Sequence, residues 1–257
     1  MSIKFIDCHT HPIKMYYKDN FQVIEKAHNK GLAAMLITGC NEAENAEVLE
    51  ICKYFDYTFP VIGIHPNESH GAVDGETIEK QWTPDVVAIG EIGLDYYYPE
   101  TDKVKQKASF IAQIKVAQKH NIPVVIHMRD SYEDLYEIMK KFPDVKFMIH
   151  TFSGDLYWAQ KFYELGCYFS FSGIVTYKNA YKTVEVVKWL PIDRMLTETD
   201  APYLSPAIKR SDINYPNYVI YTANYLAGLK DMPIEKFTDQ ILKNANSLFK
   251  INVSRKH

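Results

Sequence analysis

Four histidines stand out because their positions suit the binding of a metal ion. His9 and His11 are two residues apart at the end of an apolar run, and residues two apart in a β-strand point to the same side. Two adjacent imidazoles can bind one divalent ion. His127 and His150 each follow three or four apolar residues. Taken alone, a His-x-His sequence could be a pair of surface histidines, and a single histidine after an apolar run could be a hydrogen-bonded core residue. The prediction of a metal site therefore depends on all four histidines together.

Two carboxylates complete this set. Glu91 lies between glycines in an apolar run, where a charged side chain is costly unless it is paired or binds a metal. Asp200 follows the last of the apolar runs that predict strands. Four imidazoles and two carboxylates exceed the needs of one tetrahedral ion, and they suit two ions about 4 Å apart with Glu91 bridging them. The sequence therefore predicts two divalent metal ions, of the Zn, Mn, Fe or Ni class, with Mg or Mn as an option at one position.

The elements that must position these residues alternate along the chain. Short apolar runs predict eight strands, at residues 3–9, 33–38, 58–64, 86–89, 123–126, 146–149, 168–170 and 194–197. Amphipathic stretches predict helices at 21–29, 43–53, 102–119, 132–141, 155–165 and 181–190. Eight βα units favour a single (β/α)8 TIM-type barrel domain over residues 1–257, with the candidate ligands at the carboxyl ends of the strands. A doubly wound open sheet is the alternative.

Composition and charge narrow the class of protein. The chain has 257 residues and a formal net charge of -3, whereas proteins that bind long duplex DNA are usually more basic, so any nucleic-acid contact is expected to be local. The apolar runs are too short to span a membrane and the N-terminus lacks a signal pattern, so a cytoplasmic protein is expected. The four cysteines are scattered, which favours reduced buried thiols over a disulfide framework or metal cluster: Cys8, Cys40, Cys52 and Cys167.

The ordered motifs resemble those of the TatD family of metal-dependent deoxyribonucleases, a branch of the amidohydrolase superfamily. They span almost the whole chain, at residues 7–11 (DCHTH), 63–66 (GIHP), 90–96 (GEIGLDY), 123–130 (PVVIHMRD), 150–154 (HTFSG) and 198–204 (ETDAPYL). The resemblance implies a (β/α)8 barrel and hydrolysis of DNA phosphodiester bonds by a metal-activated hydroxide. By motif position, it implies metal roles for His9, His11, Glu91, His127, His150 and Asp200. Asn67, Thr151 and the stretch after Arg210 depart from the family's usual pattern, and none of them belongs to the ligand set.

The expected catalytic residues are Asp200, His65 and Glu91. Asp200 is expected to hold the attacking water and accept its proton. The resemblance places His65 nearest the scissile group. Since six other groups suffice for two ions, we expect His65 to donate to a phosphoryl oxygen or to protonate the leaving alkoxide. A structural loop histidine is the alternative.

Other residues are expected to contact the substrate. Arg129 follows a candidate ligand by two residues and is expected to bind phosphate, or else to pair with Asp130 or Asp95. Tyr203 and Phe152 are expected either to stack on a base or to pack in the core. The remaining histidines are expected at the surface: His28, His70, His120 and His257.

Two other functions remain open at this stage. The same metal chemistry could hydrolyse small esters, lactones or cyclic amides, because a fold does not fix a substrate. A non-catalytic metal-binding or partner protein is the other option, although the complete ligand set argues against it. The expected partner is DNA, single-stranded or at chain ends, with no membrane contact and no obligate protein partner.

Overall fold

The computed structural model describes residues 3–253, which form a nearly closed barrel of eight parallel strands with helices between them. The strands are β1 (Phe5–Thr10), β2 (Leu32–Thr38), β3 (Thr58–Ile62), β4 (Ala88–Asp95), β5 (Val124–Arg129), β6 (Phe147–Ile149), β7 (Tyr168–Phe171) and β8 (Met195–Thr197). Each strand pairs in parallel with the next along the chain. The predicted (β/α)8 fold is confirmed, and the open sheet is excluded.

Helices cover the outside of this barrel. They are α1 (Asn20–Asn29), α2 (Glu42–Ile51), α3 (Val73–Gln81), α4 (Lys103–His120), α5 (Tyr132–Met139), α6 (Leu156–Glu164), α7 (Tyr181–Trp189), α8 (Val219–Leu229) and α9 (Ile234–Phe249). Short 3-10 turns lie at Pro66–Glu68, Gly173–Thr176, Ile192–Arg194, Ala207–Lys209 and Pro216–Tyr218. Within residues 3–253, none of these helices combines the length and the apolar character that a membrane span requires.

The last strand returns to the first through hydrogen bonds that bring the two ends of the ligand set together. Thr197 Oγ1 donates to the Ile6 carbonyl at 3.0 Å, and the Asp200 N–H donates to the His9 carbonyl at 2.9 Å. Asp7, fully buried in β1, accepts from both the N–H and the hydroxyl of Thr199, at 2.9 and 2.5 Å. This carboxylate therefore fixes the loop that carries Asp200 against β1.

Three helices were not predicted, and the reasons differ. α3 is short and polar, and it packs through Gly75, where an added Cβ would lie only 3.0 Å from the Ala112 Cβ. α8 is apolar without a clear polar face. α9 is amphipathic, with Phe237, Ile241 and Ala245 buried four residues apart, so its pattern was available in the sequence.

Candidate metal centre

Three of the predicted ligands form one cluster where the first and last strands end. Nε2 of His9 lies 3.1 Å from Nε2 of His11, and Oδ1 of Asp200 lies 3.4 Å from each nitrogen. His11 turns Nε2 inward because its Nδ1 donates to the Thr38 carbonyl at 2.8 Å. Asp200 has a φ of 57°, which is uncommon for a residue with a side chain and is typical of functional positions. The backbone here places the carboxylate against both imidazoles.

The other three predicted ligands form a second cluster beside the first. Nε2 of His150 lies 2.8 Å from Oε2 of Glu91 and 3.3 Å from Nδ1 of His127. Nδ1 of His127 lies 3.6 Å from the same carboxylate oxygen. The two histidines stand on neighbouring strand ends, β5 and β6, which explains why their rings meet.

Glu91 joins the two clusters. Its Oε2 also lies 3.5 Å from Nε2 of His9, so one oxygen contacts both groups. Glu91 lies within β4, not after it as the sequence suggested, and the β4–β5 register shifts between Ile89 and Ile92. Such an irregularity re-aims a side chain. Gly93, with a φ of 149°, allows the close approach to β5, since an added Cβ would lie 2.0 Å from the His127 carbonyl oxygen.

The donor set fits divalent metal ions. Ligand atoms about 2.0–2.2 Å from a tetrahedral ion lie about 3.3–3.6 Å from one another, and most separations within the two clusters match this spacing. Imidazole nitrogens face each other in both clusters, 3.1 and 3.3 Å apart, and either a proton or a metal ion can be held between each pair. Among the described residues, Oε2 of Glu91 is buried and accepts no hydrogen bond of regular geometry. The nitrogen and carboxylate oxygen atoms of the two clusters are therefore suitable ligands for divalent cations.

Behind the clusters, two carboxylates orient the imidazoles, a role that was not predicted for either of them. Oδ2 of Asp95 lies 3.1 Å from Nε2 of His127, so that this ring directs Nδ1 inward. Oε1 of the fully buried Glu198 lies 3.4 Å from Nδ1 of His150 and accepts the Thr151 N–H at 2.7 Å. Carboxylates of this kind fix the tautomer and raise the basicity of a metal-binding histidine.

The buried carboxylates raise the pKa values of two of the histidines. Burial favours the neutral form of His11, but the Asp200 contact, the charge of Glu91 and the Thr38 hydrogen bond together outweigh burial and raise the pKa of His11 to about 9. Burial also lowers the pKa of His150. The negative charge of Glu91 and the contact with Glu198 outweigh burial and hold this pKa well above its usual value. Protons and metal ions therefore compete for the same nitrogens.

His65 lies at the edge of the second cluster, with its ring 4.4 Å from that of His127. Its Nδ1 accepts the Asn67 N–H at 3.1 Å, which leaves the proton on Nε2, 3.9 Å from Oε1 of Glu91. Burial, reinforced by the neighbouring His127, lowers the pKa of His65 to about 3. His65 is therefore a neutral ring that presents an N–H at the mouth of the barrel.

Arg129 lies near the site but makes neither of the ion pairs that were its alternative. Its guanidinium stacks 3.5 Å from the centroid of Tyr97, a ring that is 54% exposed. Asp95 instead contacts His127 and accepts a hydrogen bond from the side chain of Asn67 at 3.2 Å. The cation is therefore held on an aromatic surface at the mouth.

The two aromatic candidates have different surroundings. Tyr203 is 49% exposed and its hydroxyl lies 3.0 Å from that of Tyr16, so both phenols border the mouth. Phe152 is buried, with its ring 5.0 Å from that of Phe169. The expectation of core packing holds for Phe152, and stacking on a base is wrong for it.

The cysteines and the remaining histidines also depart in part from expectation. All four cysteines are free, but only Cys8 and Cys167 are fully buried. Sγ of Cys40 lies 3.5 Å from Oε1 of Glu91, a position that its place after β2 could have indicated. His28 and His70 are exposed, whereas His120 is half-buried against Trp82. The prediction for His257 lies outside the described residues.

Comparison with known proteins identifies the family of this chain. The model of the family described as TatD related DNase matches residues 6–250. The chain is 36% identical over 255 residues to YabD of Bacillus subtilis (strain 168), described as an uncharacterized metal-dependent hydrolase, and the match covers 96% of this chain and 99% of YabD. YcfH of Escherichia coli (strain K12), with the same description, is 34% identical over 257 residues, with 97% of each chain covered. The crystal structure of YJJV, a TatD homolog from Escherichia coli K12, superposes with a TM-score of 0.91 at 27% identity and covers 98% of this chain and all of that one. The chain therefore belongs to the TatD-related DNase family of metal-dependent hydrolases.

Proposed function

We propose that this protein is a two-metal deoxyribonuclease that hydrolyses phosphodiester bonds of DNA. In this proposal, His9, His11 and Asp200 would hold one divalent ion, His127 and His150 would hold the other, and Glu91 would contribute to both. The observation that carries the proposal is the position of Glu91 Oε2, 3.5 Å from Nε2 of His9 and 2.8 Å from Nε2 of His150. A single carboxylate between two imidazole pairs suits two ions better than one. Zn, Mg and Mn are the candidate metals.

The reaction needs a nucleophile, a proton acceptor and stabilisation of charge at phosphorus. Bound divalent ions would supply Lewis acidity and lower the pKa of water toward neutrality. Asp200 contacts His9 and His11 through Oδ1, and we assign proton acceptance from the attacking water to its Oδ2. The polar chemistry is thus concentrated at the carboxyl ends of the strands, where barrel enzymes build their sites.

His65 acts on the substrate in this proposal rather than on a metal. As a ligand it would have to present a lone pair at Nε2, which would require the proton on Nδ1 and would break the bond from the Asn67 N–H. As a neutral donor it offers Nε2–H to a phosphoryl oxygen or to the leaving oxygen. Such a donor stabilises the transition state without adding a charge to the site.

Groups at the mouth suit a flexible nucleic-acid strand. Arg129 and Tyr97 together offer a cation for phosphate and a ring face for a base. Tyr203 and Tyr16 border the opposite side. With a net charge of -3, we favour single-stranded DNA or chain ends over duplex tracking. The proposal takes residues 1–257 as one catalytic domain, acting in the cytoplasm without a membrane or an obligate partner.

One experiment tests this function against its alternatives. The protein is stripped of metal, reloaded with Zn, Mg or Mn singly, and incubated with end-labelled single- and double-stranded DNA. Parallel reactions contain small esters, lactones and cyclic amides. Metal-dependent DNA cleavage with little turnover of the small substrates supports the proposal. The reverse pattern would assign the chain to small-molecule hydrolysis, and metal binding without turnover of any substrate would indicate a non-catalytic protein.

A further inference from the structure

A basic and aromatic groove lies on the side of the barrel, outside the metal centre. It has a volume of about 630 Å³ and runs between α1 and the segment that precedes α8. Its lining includes three exposed lysines and three tyrosines, of which Tyr17 is buried and the other two are partly exposed: Lys18, Lys26, Lys30, Tyr17, Tyr215 and Tyr218. Asp19 is the acidic residue of its lining, and its carboxylate caps α1 by accepting the N–H of Gln22. The groove is therefore positive although the chain as a whole is negative.

The lysines of this groove are not neutralised by the protein. Lys26 donates to the side-chain amide of Gln22, which is neutral. Among residues 3–253, no carboxylate forms an ion pair with Lys18, Lys26 or Lys30. Some lysines elsewhere on the surface are paired, as Lys119 is with Glu79 at 2.6 Å. Three unpaired ammonium groups in a row suit a ligand that carries repeated negative charge.

Four tyrosine rings contact one another in series beside the groove, through one tilted and two edge-to-face contacts. The ring centroids of Tyr17 and Tyr215 are 5.6 Å apart, those of Tyr215 and Tyr218 are 5.6 Å apart, and those of Tyr218 and Tyr221 are 5.7 Å apart. Tyr218 and Tyr221 are partly exposed, so their faces are accessible. Aromatic rings beside a row of cations are the usual platform for unpaired bases.

The groove is connected to the mouth of the barrel. Tyr17 follows Tyr16, whose ring lies 5.6 Å from that of Tyr203 at the mouth. The Tyr17 hydroxyl donates to the Asn214 carbonyl at 2.6 Å, and the Asn214 side chain donates to the Thr199 carbonyl at 2.9 Å, beside Asp200. From Lys18 to Lys30 the chain follows α1 away from the mouth for on the order of 15–18 Å. That length accommodates no more than about five nucleotides at roughly 3.4 Å each.

We propose that this groove binds the single-stranded segment of a nucleic-acid substrate that extends out of the metal centre. The lysines contact successive phosphates, and Tyr215 and Tyr218 stack on the bases. The inference rests on the proposed nuclease function and adds to it a second binding region, which makes affinity depend on strand length. With about three phosphate contacts in the groove, the dependence on salt stays moderate.

The test measures binding and does not require cleavage. Full-length, metal-loaded protein is titrated into fluorescein-labelled dT15 with phosphorothioate linkages, which resist hydrolysis, and anisotropy is followed at several salt concentrations. The test variant carries Lys18→Glu, Lys26→Glu and Lys30→Glu. The control variant carries Lys80→Glu, Lys115→Glu and Lys141→Glu, exposed lysines on other faces of the barrel with the same change of charge.

The expected result is a loss of at least about tenfold in dT15 affinity for the test variant and a salt slope that is smaller by about 2, because each phosphate contact contributes about 0.7 on a single strand. The control variant should bind within about twofold of the unmodified protein. Tyr218→Ala should weaken binding by about 5- to 150-fold through lost stacking. A 5-iodouracil-substituted strand should cross-link to Tyr215 or Tyr218.

Three results would overturn the inference. These are an unchanged affinity and slope in the test variant, equal losses in both lysine variants, or a tyrosine variant that abolishes self-association in sedimentation while leaving dT15 binding intact. The last result would make the groove a contact between copies of this chain. Failure of the proposed function is recognised separately, as absence of DNA cleavage by protein that still binds dT15 through the groove.

Discussion

Asp95 and His127 form a hydrogen-bonded pair, with Oδ2 of Asp95 3.1 Å from Nε2 of the imidazole, while Nδ1 of the same ring faces Glu91. This contact orients the His127 ring so that Nδ1, and not Nε2, faces the candidate metal centre. The grouping of His65, Asp95 and His127 could by itself hold an ion, but the Asp95–His127 contact already uses the nitrogen that such an ion would need. We therefore assign to Asp95 the positioning of the His127 ring at the second of the two proposed metal positions.

Removing the Asp95 carboxylate should weaken metal binding at one position. We expect Asp95→Ala to lower the affinity of the His127 position by about 10- to 100-fold, because the ring loses the partner that fixes its tautomer. Calorimetric titration of metal-stripped protein would show one weakened binding step and one unchanged step. Asp134→Ala is the matched control, since Asp134 pairs with Lys107 away from the centre. Equal metal binding in both variants would contradict the assignment.

Glu91→Gln should affect both positions, because the carboxylate contacts both clusters. We expect turnover to fall by about two orders of magnitude or more and the metal content to fall at both positions, since an amide is a weaker ligand and carries no charge. Circular dichroism should show an intact barrel. Near-normal turnover of the Glu91→Gln variant at saturating metal would contradict the proposal that Glu91 serves both metal positions.

Metal binding should release protons. The pKa of His11 is raised to about 9 and that of His150 is raised well above its usual value, so at pH 7 both imidazoles hold protons that a metal ion must displace. Affinity should therefore rise as the pH rises toward 9. Calorimetry at pH 7 in buffers with different ionisation enthalpies would measure the released protons. A binding heat that is the same in every buffer would rule out this competition.

His65→Ala should separate substrate contact from metal binding. Because the Nε2–H is assigned to the substrate as a hydrogen-bond donor, we expect full metal content by elemental analysis and a fall in turnover of about 10²- to 10³-fold. His70→Ala serves as the control, since His70 is exposed and lies away from the cluster. Loss of metal in the His65 variant would make it a ligand, and retention of both metal and rate would make it structural.

The sequence was sufficient for the architecture and for the identity of the clustered side chains. Short strands that end in His9, His127 and His150 could be recognised because apolar runs and their polar ends are local features. Eight such runs pointed to the barrel, and the parallel register then brought distant residues to one mouth.

Local patterns could not give the features that depend on distant contacts. Glu91 lies within β4, where the register with β5 is irregular; Gly90 and Gly93 permit this irregularity, but the apolar pattern of residues 86–95 does not fix where it falls. Asp95 and Glu198 lie in the sequence motifs. Their contacts with His127 and His150 depend on the backbone conformation at the ends of neighbouring strands, which the motifs do not specify. Arg129 was assigned a choice between phosphate and carboxylate partners, whereas a nearby ring, Tyr97, proved to hold it.

The central claim is that Glu91 joins two metal positions, and anomalous diffraction tests it most directly. Crystals of the metal-stripped protein soaked in Mn should give two anomalous peaks about 4 Å apart, one beside His9 and His11 and the other beside His127 and His150, with the Glu91 carboxylate between them. A single peak at saturating Mn, or two peaks of which Glu91 contacts only one, would contradict the account.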